Sequence, residues 1–367
     1  MKLVMLLSFI PNPRMNRRIN ILKTKYDVVL IYWNRNDEKV KLNLDIKQIE
    51  INIKADFNLD SPIKRIINTI TFQRKALKYL KQEKPDIIYL QNLDMLDIAC
   101  KYKYNAKIIY EIADINTLLL DRQKGLIKRL ISFILKRKEK KLITKVDLLV
   151  ITSPKYYDEY FKDLINKDKV IFIPNTPDLK HFNDYKKKDF RPYTIAYIGA
   201  IRYEKQLKML IDSSEITGVN VFIAGFAFND IIKNYCKKKD HVTYYGPYDY
   251  NTEISRLYGK ANAIYSVYDV DRKNVRLALP NRLYEAIYCR LPIIVSKGTY
   301  LGELVEEKGL GFAIDNNNQE ELVNILLRLK NDKNLNKEIE ENCIKNKHLL
   351  DLDYYNNLLL KELDRLC

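Results

Sequence analysis

Leu279-Pro280-Asn281-Arg282-Leu283-Tyr284-Glu285-Ala286-Ile287 follows an apolar run and a polar loop. Pro280 cannot continue a strand and Asn281 is a good N-cap residue, so the segment predicts a helix from about Arg282. The positive end of a helix beside an arginine attracts phosphate. Glu285, one turn further along, has oxygens that can accept hydrogen bonds from a ribose diol. The segment predicts a nucleotide site, and a capped surface helix with Glu285 on its dipole is the competing interpretation.

Short apolar runs alternate with helical patterns along the whole chain, which is typical of doubly wound parallel sheets. The predicted strands of the first half are Leu3–Ile10, Val28–Tyr32, Ile49–Ile53, Ile87–Leu90, Lys107–Tyr110, Leu148–Ile151 and Val170–Ile173. Those of the second half are Thr194–Ile198, Val219–Ala224, Val242–Tyr245, Ala263–Val267, Pro292–Val295 and Gly311–Ile314. The predicted helices include Ile63–Gln82, Asp158–Asn166, Glu204–Ile216, Thr252–Gly259, Arg282–Cys289 and Gln319–Leu329.

The chain has 367 residues, which accommodates two domains. The polar, proline-containing segment Pro174–Pro192 separates the two alternating halves. We predict a first domain over residues 1–178, a linker over 179–192, a second domain over 193–348 and a final helical segment over 349–367. The fold class is α/β, with two Rossmann-like domains and a ligand in the cleft between them, at the carboxyl ends of the strands.

The formal net charge of +17 favours anionic partners, which include nucleic acid, an anionic membrane surface and phosphorylated substrates. The five cysteines are scattered, so neither a zinc site nor a disulfide framework is indicated, and a reducing compartment fits. No apolar run approaches the roughly 18 residues that span a bilayer. We expect a cytoplasmic protein that is at most peripheral on the inner face of the membrane.

Glycine follows three consecutive strands of the second half, at Gly199, Gly225 and Gly246. Glycine at a strand end lets a ligand approach the backbone closely, although ordinary turns use it too. Arg202 and Lys205 follow Gly199 and should lie at the same edge as the helix near Glu285. Together they can neutralise a diphosphate without a metal ion; taken alone, they are compatible with solvated loop residues.

Two basic segments of the first half concern a second substrate. We predict a loop at Pro11–Arg18, where Arg14 and Arg17 meet the donor, an acceptor phosphate or solvent. Residues 126–138 form an amphipathic, basic helical pattern. Such a helix can lie on an anionic leaflet, and a helix packed on the sheet gives a similar pattern.

Five motifs of the second half resemble, in order, the C-terminal half of a GT-B glycosyltransferase of the retaining family-4 type, which builds bacterial surface polysaccharides. These motifs are Ala196–Lys205, Val221–Gly225, Val242–Gly246, Pro280–Ala286 and Leu291–Val295. In the first half, Asp86–Asp94 and Ile108–Asp114 resemble strand ends of the family's acceptor domain, and Val170–Asn175 resembles its end-of-domain segment.

The resemblance implies a hexosyltransferase that moves a sugar from a nucleoside-diphosphate-sugar to a glycan or lipid-linked glycan, with retention and with no metal or other cofactor. The implied donor residues are Arg202, Lys205, Asn281 and Arg282 at the diphosphate and Glu285 at the ribose. Gly199, Gly225, Gly246 and Tyr248 are implied to lie near the base or the cleft. The final helix, around Leu352–Leu366, is implied to cross back to the first domain.

The chain departs from the family at two positions. Leu277 stands where the family often has a second glutamate, and Ala113 stands where it often has a histidine. A retaining front-face transfer can proceed without a protein nucleophile, because the departing phosphate can take the acceptor proton. Asp114 is the best candidate for a carboxylate that orients the acceptor or handles its proton, and an N-cap role is the alternative.

Three rival functions remain open at this point. A sugar-nucleotide epimerase shares the fold and the donor site, but it needs acid/base groups in the cleft. A basic nucleic-acid-binding protein fits the charge, although no motif of that class is present. A non-catalytic, membrane-bound relative is compatible with the residues at Leu277 and Ala113.

Overall fold

The computed structural model describes residues 1–39, 42, 44–55, 61–102, 104–115, 126–187 and 192–366. The chain forms two compact units. The first comprises Met1–Pro174 with Asp353–Cys367, and the second comprises Asn175–Leu352. The last segment of the chain therefore belongs to the first unit.

The first unit contains one seven-stranded sheet. Its strands are β1 (Lys2–Leu7), β2 (Asp27–Asn34), β3 (Lys47–Asn52), β4 (Ile87–Gln91), β5 (Lys107–Ile112), β6 (Leu148–Ile151) and β7 (Val170–Phe172). All pairings are parallel, in the order β3-β2-β1-β4-β5-β6-β7. The order reverses direction between β1 and β4, so the switch point of the sheet lies there.

The second unit repeats this plan with six strands. They are β8 (Thr194–Ile198), β9 (Asn220–Ala224), β10 (Val242–Gly246), β11 (Ala263–Ser266), β12 (Ile293–Ser296) and β13 (Gly311–Ile314). The sheet is parallel throughout, in the order β10-β9-β8-β11-β12-β13. Its switch point lies between β8 and β11, and the prediction of two doubly wound α/β units is confirmed.

Helices fill the crossovers between these strands. In the first unit they are α1 (Pro13–Leu22), α2 (Pro62–Glu83), α3 (Leu93–Lys101) and α4 (Leu126–Ile143). The second unit has α5 (Glu204–Thr217), α6 (Ile231–Cys236), α7 (Tyr250–Tyr258), α8 (Lys273–Leu277), α9 (Asn281–Cys289), α10 (Tyr300–Glu307), α11 (Gln319–Asn331) and α12 (Lys333–Lys345). The last helix is α13 (Leu352–Asp364). Short 3-10 segments lie at Lys167–Lys169, Leu179–Phe182 and Lys347–Leu350.

One face of the first sheet packs against α1 and α13. Alternate residues of β1 point to this face because side chains alternate along a strand. They join the inner sides of both helices in one buried cluster that includes Leu3, Met5, Leu7, Met15, Ile19, Leu359 and Leu363. Helix α13 is therefore part of the core of the first unit.

The segment 179–192, for which we predict a linker, packs on the second unit over its described part. Phe182 is buried, and its ring centroid lies 5.7 Å from that of Tyr258 and 5.4 Å from that of Tyr288. The Tyr185 hydroxyl donates a hydrogen bond of 2.9 Å to the Cys289 carbonyl. Aromatic side chains therefore anchor this segment to the second unit. Its polar composition did not predict these contacts.

Three local predictions differ from the structure. Pro11–Arg18 is not a loop, because Asn12 caps Met15 N at 3.0 Å and Pro13 begins α1. Helix α9 begins at Asn281 with Pro280 as its N-cap, one residue earlier than predicted. No regular helix covers Asp158–Asn166. A helical turn at Pro154–Tyr156 instead runs into a wider turn at Tyr157–Phe161, where Lys162 N donates to the Tyr157 carbonyl.

Candidate functional site

The three strand-end glycines of the second unit pack against one another. Gly199 N donates to the Ala224 carbonyl and Gly225 N donates to the Gly246 carbonyl, each at 2.8 Å. A Cβ atom at Gly225 would overlap the carbonyl oxygen of Gly199. The φ angles are +132° at Gly199, +155° at Gly225 and +89° at Gly246, a region that side chains rarely adopt. Backbone packing alone therefore requires glycine at Gly225.

Arg282, in the first turn of α9, lies across the end of β8. Its Nε donates a 2.5 Å hydrogen bond to the Ile198 carbonyl, and its Nη1 donates one of 2.9 Å to the Tyr268 hydroxyl. The guanidinium carbon lies 4.0 Å from the centroid of the Tyr197 ring. A Cβ atom at Gly199 would overlap the guanidinium. Arg282 of α9 is therefore packed directly against Gly199 at the end of β8.

Glu285 is 3% exposed, and two tyrosines bind its carboxylate. The Tyr250 hydroxyl donates to Oε1 at 2.7 Å, and the Tyr258 hydroxyl donates to Oε2 at 2.5 Å. Burial raises the pKa of Glu285, while the two hydroxyls and the Arg282 charge act in the opposite direction. A carboxylate oxygen has more than one lone pair, so each oxygen can accept a further donor from a ligand.

Tyr248 belongs to the same cluster. Burial, with the nearby Glu285 carboxylate, raises the pKa of its hydroxyl to about 12. The Tyr248 side chain is half-buried, and the positive charge of Arg282 acts to lower this pKa. The tyrosines around Glu285 come from α7 and the loop before it. Tyr258 and Tyr250 lie 27 and 35 residues away from it along the chain, so the sequence alone did not indicate this cluster.

Arg202 lies in the β8–α5 connection and Lys205 in the first turn of α5, and both side chains are exposed. The Arg202 guanidinium lies 5.6 Å from the centroid of the Phe228 ring, in the loop after β9. Ile201 N donates to the Phe226 carbonyl at 2.8 Å, which holds these two loops side by side. Both cations therefore stand at the carboxyl edge of the second sheet, with their charges open to solvent.

In the first unit, Glu111 of β5 lies between two arginines of α1. Arg18 Nε donates to Glu111 Oε2 at 3.1 Å, and Arg14 Nε lies 3.4 Å from Oε1. The Tyr89 hydroxyl also donates to Oε2. Burial raises the pKa of Glu111, but Arg18 and Arg14 outweigh it and leave the pKa below its usual value.

Sequence reasoning missed Arg18, Tyr89 and Glu111 as members of this buried network. A glutamate within the otherwise apolar run of β5 was the available signal, together with two arginines one helical turn apart. Arg14 is 9% exposed, so it does not stand free in solvent as a loop residue would. Arg17 lies on the same helix and is half-buried.

Asp114 is exposed just beyond β5, at the carboxyl edge of the first sheet. The backbone of Ala113 beside it is held in place, because its carbonyl accepts hydrogen bonds from Thr152 Oγ1 at 2.9 Å and from the Tyr156 hydroxyl at 3.2 Å. The prediction that Asp114 caps a helix concerns residues 116–125, which lie outside the described residues. Leu277 is buried in α8, and its side chain is 6% exposed.

Two properties of the described residues bear on metal ions and membranes. Within those ranges there is no group of three or more His, Cys, Asp or Glu residues that could hold a metal ion. None of the described helices combines the length and the apolar character that a membrane crossing requires.

Residues 180–346 match the family model described as "Glycosyl transferases group 1". The chain carries a group 1 glycosyltransferase domain. This glycosyltransferase domain includes Gly199, Arg202, Lys205, Arg282 and Glu285. The Glu111 network lies outside it.

A curated relative of similar length is the succinoglycan biosynthesis protein ExoL of Rhizobium meliloti (strain 1021). It is 23% identical over 347 residues, which cover 89% of this chain and 84% of that protein.

Solved structures show that the chain has the GT-B glycosyltransferase fold. Sucrose-phosphate synthase from Thermosynechococcus elongatus matches with a TM-score of 0.77 and 14% identity, covering 100% of this chain and 99% of that one. Anabaena Alr3699/HepE in complex with UDP matches with a TM-score of 0.74 and 16% identity, covering 100% of both chains. WaaG, a glycosyltransferase involved in lipopolysaccharide biosynthesis, has a TM-score of 0.67 and 14% identity, covering 96% of this chain and 95% of that one.

Proposed function

We propose that this protein is a retaining glycosyltransferase that moves a hexosyl group from a nucleoside-diphosphate-sugar to a glycan or lipid-linked glycan. The observation that carries the proposal is the buried Glu285 carboxylate, which Tyr250 and Tyr258 hold by hydrogen bonds beside Arg282. This carboxylate lies at the carboxyl edge of the second sheet, within the residues that match the glycosyltransferase family model. An ordinary capped helix would leave this carboxylate in solvent.

The donor is bound by the second unit in this proposal. Glu285 accepts hydrogen bonds from the ribose diol through the lone pairs that the tyrosines leave free. The exposed cations Arg202 and Lys205 meet the diphosphate, together with the amino-terminal turn of α9 at Asn281 and Arg282. HepE structures are known in complex with UDP and with UDP-glucose, which supports a uridine nucleotide as the first ligand to try.

The reaction breaks the bond between the anomeric carbon and the diphosphate oxygen and forms one between that carbon and an acceptor hydroxyl oxygen. The acceptor proton passes to the departing phosphate, so no protein nucleophile is needed. Arg202 and Lys205 stabilise the negative charge that develops on the leaving group, and no metal is needed for that role. Asp114 orients the acceptor hydroxyl.

The product belongs to a bacterial surface polysaccharide, such as a capsule, an O-antigen or an exopolysaccharide. The name of the ExoL relative supports this class of product. The acceptor is lipid-linked, and residues 126–138 bring the enzyme to the inner face of the cytoplasmic membrane. Exposed apolar and basic side chains on α4 support this location.

Thermal unfolding with a panel of nucleoside diphosphates tests the donor site. UDP or another member of the panel should raise the melting temperature of the full chain, because a ligand of the folded state stabilises it. Glu285→Gln, which keeps the size of the side chain, should weaken that shift. Glu320→Gln, an exposed acid in the first turn of α11, is the matched control and should behave as the parent.

Product analysis then tests the reaction class. Incubation with the binding sugar nucleotide and a glycan acceptor should release nucleoside diphosphate and form a glycoside that keeps the anomeric configuration of the donor. An epimerised sugar formed without acceptor would identify an epimerase instead. No thermal shift and no turnover with any nucleotide of the panel would contradict the proposal.

A further inference from the structure

Two helices of the first unit expose large apolar side chains. Ile66, Ile67 and Ile70 of α2 are between 42 and 60% exposed. The corresponding residues of α4, which are between 48 and 61% exposed, are Leu130, Ile131, Phe133 and Ile134. Single exposed apolar residues are common, but clusters of this kind mark an interaction surface.

The two helices lie on the same face of the first sheet. Helix α2 connects β3 to β4 and helix α4 connects β5 to β6, so both crossovers move in the same direction along the strand order. Right-handed crossovers in one direction place their helices on one face. Helix α3 lies between them and contacts both. At the usual spacing of packed helices, α2 and α4 are roughly 20 Å apart.

Each helix is divided along its length in the same way. The amino-terminal half exposes the apolar residues just named beside an exposed cation, Lys64 on α2 and Arg129 on α4. The carboxyl-terminal half carries the larger group of exposed cations, which are Arg74, Lys75, Lys78 and Lys81 on α2, and Arg137, Lys140 and Lys141 on α4. Because crossover helices run antiparallel to the strands, both apolar halves lie toward the carboxyl edge of the sheet, and both basic halves lie away from it.

Acidic side chains do not offset these cations on either helix. Glu83 is the acid of α2; it is 8% exposed and ion-paired with Lys2 and Lys47. Glu139 is the acid of α4; it is 2% exposed and accepts a 2.6 Å hydrogen bond from the Tyr160 hydroxyl. Among the described residues of α2 and α4, the exposed charge is therefore entirely positive.

We propose that the exposed faces of α2 and α4, here called the α2/α4 surface, form one docking site for an anionic lipid bilayer. The apolar halves enter the interface, and the basic halves meet lipid phosphates. A second copy of this chain is a poor occupant, because both copies would present only positive exposed charge on these helices and would repel each other. The inference rests on the proposed transfer to a lipid-linked acceptor. Beyond the membrane contact proposed for α4, it adds α2 as a second membrane-binding helix and gives the orientation of the surface.

The orientation of the α2/α4 surface determines which edge of the first unit a lipid-linked acceptor would reach. The apolar halves of α2 and α4 lie near the carboxyl edge of the first sheet, which is the edge that carries Asp114 and the start of α1. A lipid-linked acceptor held in the leaflet would therefore meet the first unit at the same edge as these residues.

Vesicle flotation of the full chain tests the α2/α4 surface. Vesicles of phosphatidylcholine with phosphatidylglycerol should bind the protein about tenfold or more above phosphatidylcholine alone, and high salt should remove the difference. Ile67→Glu with Ile70→Glu on α2 should lower binding about tenfold, as should Leu130→Glu with Phe133→Glu on α4. Ile216→Glu, on the second unit at a position that is 66% exposed, is the matched control and should bind like the parent.

Two further readouts separate the possible results. The nucleotide-induced thermal shift of each variant should match the parent, which shows that the fold and the donor site are intact. Parent-like vesicle binding by the α2 pair would overturn the two-helix surface, and so would equal binding to neutral and anionic vesicles. A dimer that the α2 pair converts to monomer without loss of vesicle binding would show that the apolar residues join two copies. In all these cases a retained nucleotide shift would leave the proposed donor site standing.

Discussion

The Tyr258 hydroxyl donates a 2.5 Å hydrogen bond to Oε2 of Glu285, and both side chains are almost completely buried. The two residues lie 27 positions apart on α7 and α9. Tyr250 donates to the other oxygen of the same carboxylate. The candidate ribose-binding group is therefore held from both sides before any ligand arrives.

Tyr258→Phe should destabilise the protein by about 1.5–3 kcal/mol, because it removes a hydrogen bond to a buried charged group. Tyr265→Phe is the matched control, since the Tyr265 hydroxyl is equally buried but donates to a neutral acceptor, the Gln206 carbonyl, at 3.0 Å. The control should lose about 1 kcal/mol. Urea denaturation of both variants measures the two losses of unfolding free energy. Equal losses would show that the hydrogen bond to Glu285 stabilises the protein no more than one to a neutral carbonyl.

Glu285→Gln should change how stability depends on pH. The pKa of Glu285 is raised in the folded state, mainly by burial, so the folded state holds this proton more tightly than the unfolded chain. The stability linked to the proton is present at low pH and is lost as pH rises through the raised pKa. Glutamine does not titrate. The free energy of unfolding of the parent, relative to the variant, should therefore fall over the pH range from the unfolded pKa, about 4.3, up through the raised folded-state pKa. A constant difference over that range would contradict the raised pKa.

Gly225→Ala should cost at least about 3 kcal/mol, because the new Cβ would overlap the Gly199 carbonyl oxygen at a φ of +155°. Gly298→Ala is the control that measures the backbone strain without an atomic overlap. Gly298 also has a positive φ, +72°, but nothing lies within 4 Å of the added Cβ. It should cost about 1 kcal/mol, which is the strain of the left-handed conformation alone. Thermal unfolding of the two variants gives the comparison, and similar losses would refute the close approach of β8 and β9.

Glu111→Gln should cost about 3–5 kcal/mol, because it leaves Arg14 and Arg18 buried without their counter-charge. The pKa of Glu111 is lowered in the folded state, so its contribution is present above the unfolded pKa and is lost as pH falls through the lowered value. The destabilisation by the variant should therefore shrink in acid. Glu215→Gln removes an exposed ion pair with Lys239 and should leave the denaturation midpoint unchanged at every pH. A loss at Glu111 that stays the same in acid would show that charge is not its cause.

The alternation of short apolar runs with helical patterns was sufficient to predict two doubly wound α/β units. Every strand predicted from the sequence is found in the described part of the chain, because a strand buried on both faces is a nearly continuous apolar run. The helix at Asp158–Asn166 was wrong, since the burial of Tyr156 and Phe161 goes with a wider turn that residue preferences do not report. The linker at 179–192 was missed as a packed segment because its contacts are made by a few aromatic residues.

The chain by itself determined two α/β units, the edge at which the strand-end glycines meet, and Glu285 as a carboxylate on the first turns of a helix. These features depend on local spacing, which the order of residues records directly. Only the tertiary structure decided that Tyr250 and Tyr258 hold Glu285, that Arg282 lies against Gly199, and that Arg14 and Arg18 share Glu111. Those partners are up to 93 residues apart, and the folding of separate crossovers onto one sheet brings them together.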